Sequence, residues 1–445
     1  MFSSYFKLAL KVLSRKKFFT FISLFGISFT LMILMIITAF LDLELGDYQP
    51  LSERDRMLFV ERVSTSMWVP DTTFVIDSQL VASVMQYDTT HDINENRVSM
   101  SSSDGAFRVF DQHLRNLSSV EAMTIFNSGP SFSIFKNGKK LEYDGVYSDA
   151  AYWQITDFTF LEGKPYGKQE VANQAQVVVM TEKAAREYFG SSDSYLNQEI
   201  ELERKNFRVI GIIENTNTTH STVDLDLFMP YTNMAAYQIE GDPMDLHGQF
   251  QAVFLAENEA ALPNIKAEIK KIGENFVMPD PENYNRMEIV TYDFMEEYAD
   301  DLIDAETAEE SETYFWWGLI TLLTLFILLP TLNLININIS RIMERSAEIG
   351  VRKSFGADNG TILWQFVFEN IILTIIGGVI GLLLAIGAIY LINDSGYLDD
   401  VIIHFNPIVF LYSLLVCLFF GVLSGIIPAY RMSQLKIVDS LKQAA

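Results

Sequence analysis

Four uncharged, apolar runs of at least 22 residues constrain this 445-residue chain more than any other feature. They cover residues 18–41, 314–340, 371–392 and 408–429. A helix needs about 20 apolar residues to cross a bilayer, and soluble helices rarely stay apolar on every side for that length. The sequence therefore predicts a membrane α-helical protein with four transmembrane helices, rather than four buried soluble helices.

The positions of lysine and arginine predict the orientation of these spans. Basic residues cluster in residues 1–17, 341–370 and 430–445, whereas the short connection 393–407 has none. Both termini and the loop 341–370 are therefore expected in the cytoplasm, and residues 1–17 are expected to form a basic amphipathic helix on the inner membrane surface. The large segment 42–313 is expected outside the cytoplasm.

Residues 42–313 contain 49 acidic and 20 basic residues. Such a negative surface disfavours nucleic acid as a partner. Frequent turn signals between short alternating runs predict an α+β extracytoplasmic domain, with a strong hairpin signal at Asn137-Gly138. Thr181 is predicted to cap a helix over residues 181–189. Cys417, the single cysteine, lies in the fourth span, so the outer domain is expected to have no disulfide.

The order of strands and helices predicts three parts in this outer domain. Residues 42–125 and 231–292 are expected to form a discontinuous α/β part, and residues 126–230 a β-rich insert. Residues 293–313 have no glycine or proline and are predicted to form a stalk helix that runs into the second span without a hinge.

Motifs for catalysis are absent from the sequence. It has no Gly-x-x-x-x-Gly-Lys-Ser/Thr run, no Gly-x-Ser-x-Gly elbow and no His-Glu-x-x-His pair. Its five histidines are scattered, without metal-ligand spacing. We therefore expect a chain that is not an enzyme by itself and that has no catalytic, cofactor-binding or metal-binding residues of its own.

A charged stretch between the second and third spans is the main candidate site. It combines charges with a few larger apolar residues, which suits contact with a soluble partner; the alternative is a solvated loop that merely obeys the charge rule. The candidate coupling residues are Glu344, Arg345, Glu348, Ile349, Gly350, Arg352, Lys353, Phe355, Gly356 and Ala357.

Small residues recur at helical spacing in the last two spans and permit close approach of helices. They are Gly377, Gly381 and Ala385 in the third span, and Gly421 and Gly425 in the fourth. The pattern predicts tight packing, either within one chain or across a dimer.

The charged stretch also resembles a known family. Arg345, Glu348-Ile349-Gly350 and Gly356-Ala357 fill the pattern of the loop between the second and third spans of FtsX-like/MacB-like permeases of ABC transporters. The end of the chain, with Pro428-Ala429 before Arg431, is similar to the end of these permeases. The layout of the outer domain resembles their periplasmic region.

This resemblance implies a permease subunit in the bacterial cytoplasmic (inner) membrane, driven by an ABC ATPase that holds ATP and magnesium. MacB proteins carry a fused ATPase domain before the first span, whereas 17 residues precede it here, so a separate ATPase is expected. A second permease chain, identical or related, would complete the transporter, with a periplasmic adaptor and an outer-membrane channel as further partners.

In the family, movement of the coupling stretch is transmitted to the outer domain (mechanotransmission), which implies export of a drug, peptide or antimicrobial compound. Two alternatives remain open: an FtsX-type regulator of cell-wall hydrolases, and a lipoprotein-releasing permease.

Overall fold

The computed structural model describes residues 17–81, 84–136, 138–235, 244–305, 307–344, 351, 354–355, 358–395 and 401–433. The chain forms two compact units, one of residues Asp47–Glu312 and the other of residues Met1–Gly46 and Thr313–Ala445. We refer to them as the outer unit and the helical unit.

Strands dominate the outer unit, as its β-branched runs between turn residues predict. Their bounds are β1 Met57–Val81, β2 Val84–Ser103, β3 Val120–Lys136, β4 Lys139–Ser148, β5 Phe160–Gly163, β6 Val177–Thr181, β7 Glu199–Leu202, β8 Lys205–Ile213, β9 Leu227–Pro230, β10 Gln251–Ala256 and β11 Arg286–Asp293.

All eleven strands belong to one sheet, in the order β11-β1-β10-β3-β4-β9-β6-β8-β5. β2 pairs with β1, and β7 pairs with β8. The β4–β9 and β6–β8 pairs are parallel, and the others are antiparallel. β1 and β2 form a long hairpin whose register runs from Val63 opposite Ser103 to Val81 opposite Val84.

Short helices pack around the sheet, and one large apolar core joins residues from most of its strands. The first helix of the chain, α1 (Lys17–Leu45), belongs to the helical unit. The helices of the outer unit that precede β11 are α2 Phe107–His113, α3 Tyr152–Ile155, α4 Lys168–Ala172, α5 Glu182–Phe189 and α6 Leu262–Glu274. The core includes Phe254 from β10, Ile265 and Ile269 from α6, and Phe132 from β3.

Two local predictions are confirmed by the structure. β3 and β4 form a hairpin in which Lys136 lies opposite Lys139, and Gly138 in the turn has φ of 78°; Asn137 lies outside the described residues. Thr181 caps α5, since its side chain accepts a hydrogen bond from the Ala184 amide.

The predicted division of the outer domain at residue 126 falls within β3. Residues 120–126 of β3 pair with β10, and its later residues pair with β4. Strands of both predicted parts therefore share one sheet, and their division into an α/β part and an insert stays a prediction.

Long apolar helices form the helical unit. They are α1 Lys17–Leu45, α8 Ala308–Glu344, α9 Asn359–Asp394 and α10 Pro407–Ser433. Three described stretches are long and apolar enough to cross a membrane: Thr20–Leu45, Ala308–Leu328 and Gly360–Asp394. The apolar stretch of α10, Pro407–Leu423, is shorter, so a fourth span stays a prediction. The predicted amphipathic helix over residues 1–17 and the tail beyond Ser433 lie almost entirely outside the described residues.

The prediction of one unbroken stalk helix is wrong. α7 (Phe294–Ile303) ends at Asp304, which has left-handed φ and ψ of 48° and 58°, and α8 begins at Ala308. Aspartate adopts this conformation more readily than most residues. The break also places Glu309 and Glu310 in the first turn of α8, where the helix dipole favours negative charge.

Candidate functional site

The described part of the candidate coupling stretch is a short turn with an exposed phenylalanine. α8 ends at Glu344, and the Phe355 amide donates a hydrogen bond to the Val351 carbonyl at 3.2 Å. The Phe355 side chain is 88% exposed. A large exposed apolar side chain beside charged residues is typical of a contact surface. The other candidates, Arg345, Glu348, Ile349, Gly350, Arg352, Lys353, Gly356 and Ala357, lie outside the described residues.

α9 begins just after this turn, with its own cap. The Asp358 side chain accepts a hydrogen bond from the Gly360 amide at 3.1 Å. Eleven residues after the cap, Glu369 is only 3% exposed, and the Gln365 side chain donates to its Oε1 at 3.2 Å. The structure thus places Glu369 in a buried polar pair within α9.

The small residues of α9 lie where other helices approach. A Cβ on Gly377 would lie 2.7 Å from Ile27 Cγ2, and one on Gly381 would lie 2.9 Å from the Ser28 carbonyl oxygen, both in α1. Ala385 is fully buried. These positions bring α9 against α1 within one chain, which is one of the two arrangements that the spacing allowed.

In α10, Gly421 has a similar position against α9. A Cβ there would lie 2.5 Å from Thr374 Oγ1. The Thr374 hydroxyl donates to the Asn370 carbonyl at 3.0 Å, which fixes its side chain on the surface that Gly421 approaches. Gly425 also lies in α10.

A second candidate region surrounds the helix break in the outer unit. The Ser311 hydroxyl donates to Asp300 Oδ1 at 2.9 Å and accepts from the Ala305 amide at 3.0 Å. Ser311 is fully buried. One hydroxyl thus joins the end of α7, the break and the first turns of α8.

His220 also contacts α7. Its ring stacks on Phe294 with centroids 5.4 Å apart, and it lies 5.3 Å from the ring of Phe59 in β1. The Thr222 amide donates to His220 Nδ1 at 3.3 Å. Because Nδ1 accepts this bond, Nε2 carries the proton and donates to Glu297 Oε2 at 3.2 Å.

Glu297 also shares a hydrogen bond with Glu61 of β1. Burial raises the pKa of the Glu61 carboxyl to about 9, and the charge of Glu297 and their hydrogen bond act in the same direction. Glu61 is therefore protonated at neutral pH and donates to the Glu297 carboxylate. A carboxylic acid and a neutral histidine thus fix α7 to β1 and to the loop after β8.

Sequence reasoning missed this His220–Glu297–Glu61 cluster. Glu297 and Glu61 lie 77 and 159 residues from His220 in the sequence, so no local spacing reveals the cluster. The only sequence signal is the acidic run 293–301, which predicts a solvated helix as readily as a buried one. Among the described residues, no group of three or more histidine, cysteine, aspartate or glutamate side chains could hold a metal ion.

Most of the chain matches domains of known protein families. Residues 20–272 match the MacB-like periplasmic core domain. Residues 320–437 match the FtsX-like permease C-terminal domain. The second match contains the whole candidate coupling stretch and the small residues of α9 and α10.

Individual relatives are distant. The chain is 24% identical over 310 residues to the macrolide export ATP-binding/permease protein MacB of Acinetobacter baylyi, covering 67% of this chain and 42% of that protein. It is 25% identical over 332 residues to the pyoverdine export ATP-binding/permease protein PvdT of Pseudomonas syringae pv. syringae, covering 74% and 47%. The chain thus spans less than half the length of these curated relatives.

A solved structure, the periplasmic region of MacB from Actinobacillus actinomycetemcomitans, aligns with a TM-score of 0.31 and 15% identity, covering 44% of this chain and 81% of that one. The match to the periplasmic core domain alone extends over more than half of the sequence. With the permease domain that follows it, this match shows that the chain belongs to the MacB-like, FtsX-like permease family of ABC transporters.

Proposed function

We propose that this chain is the membrane subunit of an ABC exporter and that it couples ATP hydrolysis by a separate ATPase to movement of its outer unit. The observation that carries this proposal is the combination of a MacB-like periplasmic core domain and an FtsX-like permease domain in one sequence without a phosphate-binding motif. The relatives named above are export proteins with an ATP-binding part, which this chain would obtain from a partner.

Export of a drug, peptide or antimicrobial compound is the activity that we propose. A second permease chain would complete the membrane part, and an adaptor with an outer-membrane channel would extend the route outward. The cytoplasmic (inner) membrane is the corresponding location, with the loop between α8 and α9 on the cytoplasmic side.

Co-purification from native membranes in mild detergent, followed by mass spectrometry, tests this assignment. An ABC ATPase that remains bound together with an adaptor would support export. An ATPase bound with a cell-wall hydrolase would instead support the regulatory alternative. The absence of any ATPase, under conditions in which a known family complex stays intact, would overturn the proposal.

In the Phe355→Ala variant, the stimulation of ATP hydrolysis by substrate is expected to fall at least tenfold. Truncating an aromatic side chain at the centre of a protein contact costs about 2 kcal/mol or more. The measurement is substrate-stimulated ATP hydrolysis by the reconstituted complex. Tyr390→Ala, near the other end of α9 and also strongly exposed, is the matched control and should leave stimulation unchanged. Equal stimulation in both variants would exclude Phe355 from the coupling contact.

A further inference from the structure

The sheet of the outer unit has a gap between two strand edges. The strands of one part of the sheet follow the path β3-β4-β9-β6-β8. Beyond it, β7 pairs with residues 205–208 of β8 and β5 with residues 211–213, and among the described strands β7 pairs with β8 alone. β10 covers the other edge of β3 only as far as Phe126. In the described structure, residues 131–136 of β3 therefore pair with β4 alone.

The two free edges face each other across a groove. A cavity of about 460 Å³ is lined by residues 131–136 of β3 and residues 201–204 of the β7–β8 hairpin. A second cavity of about 460 Å³ lies beyond Gly129 and Pro130 and shares Glu203 with the first. Together they follow residues 127–136 of β3, a length of about 30 Å at 3.3 Å per residue.

Hairpin geometry identifies the backbone groups that point into this groove. In a hairpin with a two-residue loop, the pair that flanks the loop is hydrogen-bonded, and bonding then alternates along the strands. Lys136 and Lys139 flank the first loop, and Leu202 and Lys205 flank the second. The backbone groups of Ser133, Phe135 and Glu201 consequently point away from their partner strands.

Side chains along the groove alternate as a half-buried strand requires. Phe132 is 5% exposed and belongs to the same core cluster as Leu202, whereas Phe135 is 76% exposed. A strand that entered the groove would turn one set of side chains toward Phe132 and Leu202. Its other set would lie on the outer face, beside Phe135 and Glu201.

The charges that remain available in the groove favour a basic occupant. Lys136 Nζ lies 3.5 Å from the ring centroid of Tyr188, and Lys205 Nζ donates to the Asn233 carbonyl at 2.7 Å. Glu201 and Glu203 are exposed and form no ion pair with a described side chain. Lys136 and Lys205 are thus engaged. Glu201, Glu203 and Arg204 are exposed around the β7–β8 turn, so two carboxylates and one guanidinium remain available and their net charge is negative.

We propose that this groove, between residues 131–136 of β3 and residues 201–204 of the β7–β8 hairpin, receives an extended segment of a protein partner as an added β-strand. The segment is apolar at the alternate positions that face the core and basic at the positions that face outward. Main-chain bonds to Ser133, Phe135 and Glu201 supply the affinity, and Glu201 supplies the charge preference. The proposal concerns the outer unit and does not depend on coupling to an ATPase.

A labelled octapeptide with alternating lysine and valine tests the groove, with an alternating glutamate and valine octapeptide as the comparison. Binding to the purified full chain in detergent is followed by fluorescence anisotropy. We expect the lysine peptide to bind at least tenfold more tightly than the glutamate peptide. Failure of the lysine peptide to bind, or equal binding of both peptides, overturns the proposal.

Two substitutions locate the binding. Ser133→Pro removes an amide that points into the groove and leaves the backbone hydrogen bonds to β4 intact, so it should weaken binding of the lysine peptide at least tenfold. Glu201→Lys should reverse the preference between the two peptides, whereas Glu274→Lys on α6, also exposed, should not. Unchanged binding in both groove variants, with circular dichroism showing an intact fold, overturns the location.

Discussion

Gly381→Leu is expected to be the most damaging single substitution in the helical unit. A Cβ at this position would already lie 2.9 Å from the Ser28 carbonyl oxygen and 3.0 Å from Leu31 Cβ. A leucine would force α9 away from α1 and open the cluster of Ile27, Leu31, Ile372 and Leu373. Overpacking of this kind costs about 1–3 kcal/mol, and loss of the helix contact adds to it.

Thermal unfolding of the detergent-solubilised chain, followed by size-exclusion chromatography, measures this effect. Gly387→Leu provides the matched control, because Gly387 lies in the same helix and has no neighbouring atom within 4 Å of a Cβ. The Gly381 variant should unfold several degrees lower than the control. Equal midpoints would show that α1 and α9 do not pack tightly in the protein in solution.

Glu61→Gln is expected to make the stability of the outer unit less dependent on pH. The unfolded chain releases the Glu61 proton near the ordinary pKa of 4.5, whereas the folded state retains it until about pH 9. Stabilisation from the protonated group is therefore complete below pH 4.5 and is lost as the pH rises through 9. The loss is up to about 1.4 kcal/mol for each pH unit in this window.

The glutamine side chain can still donate a hydrogen bond to the Glu297 carboxylate, but it does not ionise between pH 5 and pH 9. The unfolding free energy of the Glu61→Gln variant, measured relative to that of the unmodified chain, should therefore increase from pH 5 to pH 9. Denaturant unfolding at pH 5, 7 and 9, followed by tryptophan fluorescence, gives this difference. Glu274→Gln, at an exposed position, is the control; a parallel pH response in both variants would contradict the buried acid at Glu61.

Local sequence patterns predicted the elements that depend on local interactions. The β3–β4 hairpin follows from a two-residue turn with glycine, and the α5 cap follows from the Thr181 hydroxyl. The apolar runs predicted α1, α8, α9 and α10 because a long helix that is apolar on every side has few alternatives. Small residues in α9 and α10 indicated close approach but not the partner, since Gly381 could equally have faced another chain.

Features that depend on distant residues could not be predicted in this way. The β1–β2 hairpin lacks a glycine or asparagine turn, and much of it is polar, so its strands resemble a loop in sequence. The break at Asp304 lacks glycine and proline, and the hydrogen bonds of Ser311 that hold it come from seven residues further on. His220 contacts Phe59 of β1 and Phe294 of α7, which are both far from it in the sequence.

The left-handed residue at Asp304 has a consequence for how chains of this kind can change in length. In one continuous helix, each inserted residue would rotate everything after it by about 100°. Here one helix ends at Ile303 and a new helix begins at Ala308, so the rotation is not carried from the first helix into the second. A residue gained or lost between these points would change the bonds that Ser311 makes across the break. It would leave the contact of Phe294 with Phe59 of β1 in place, because that contact lies before the break.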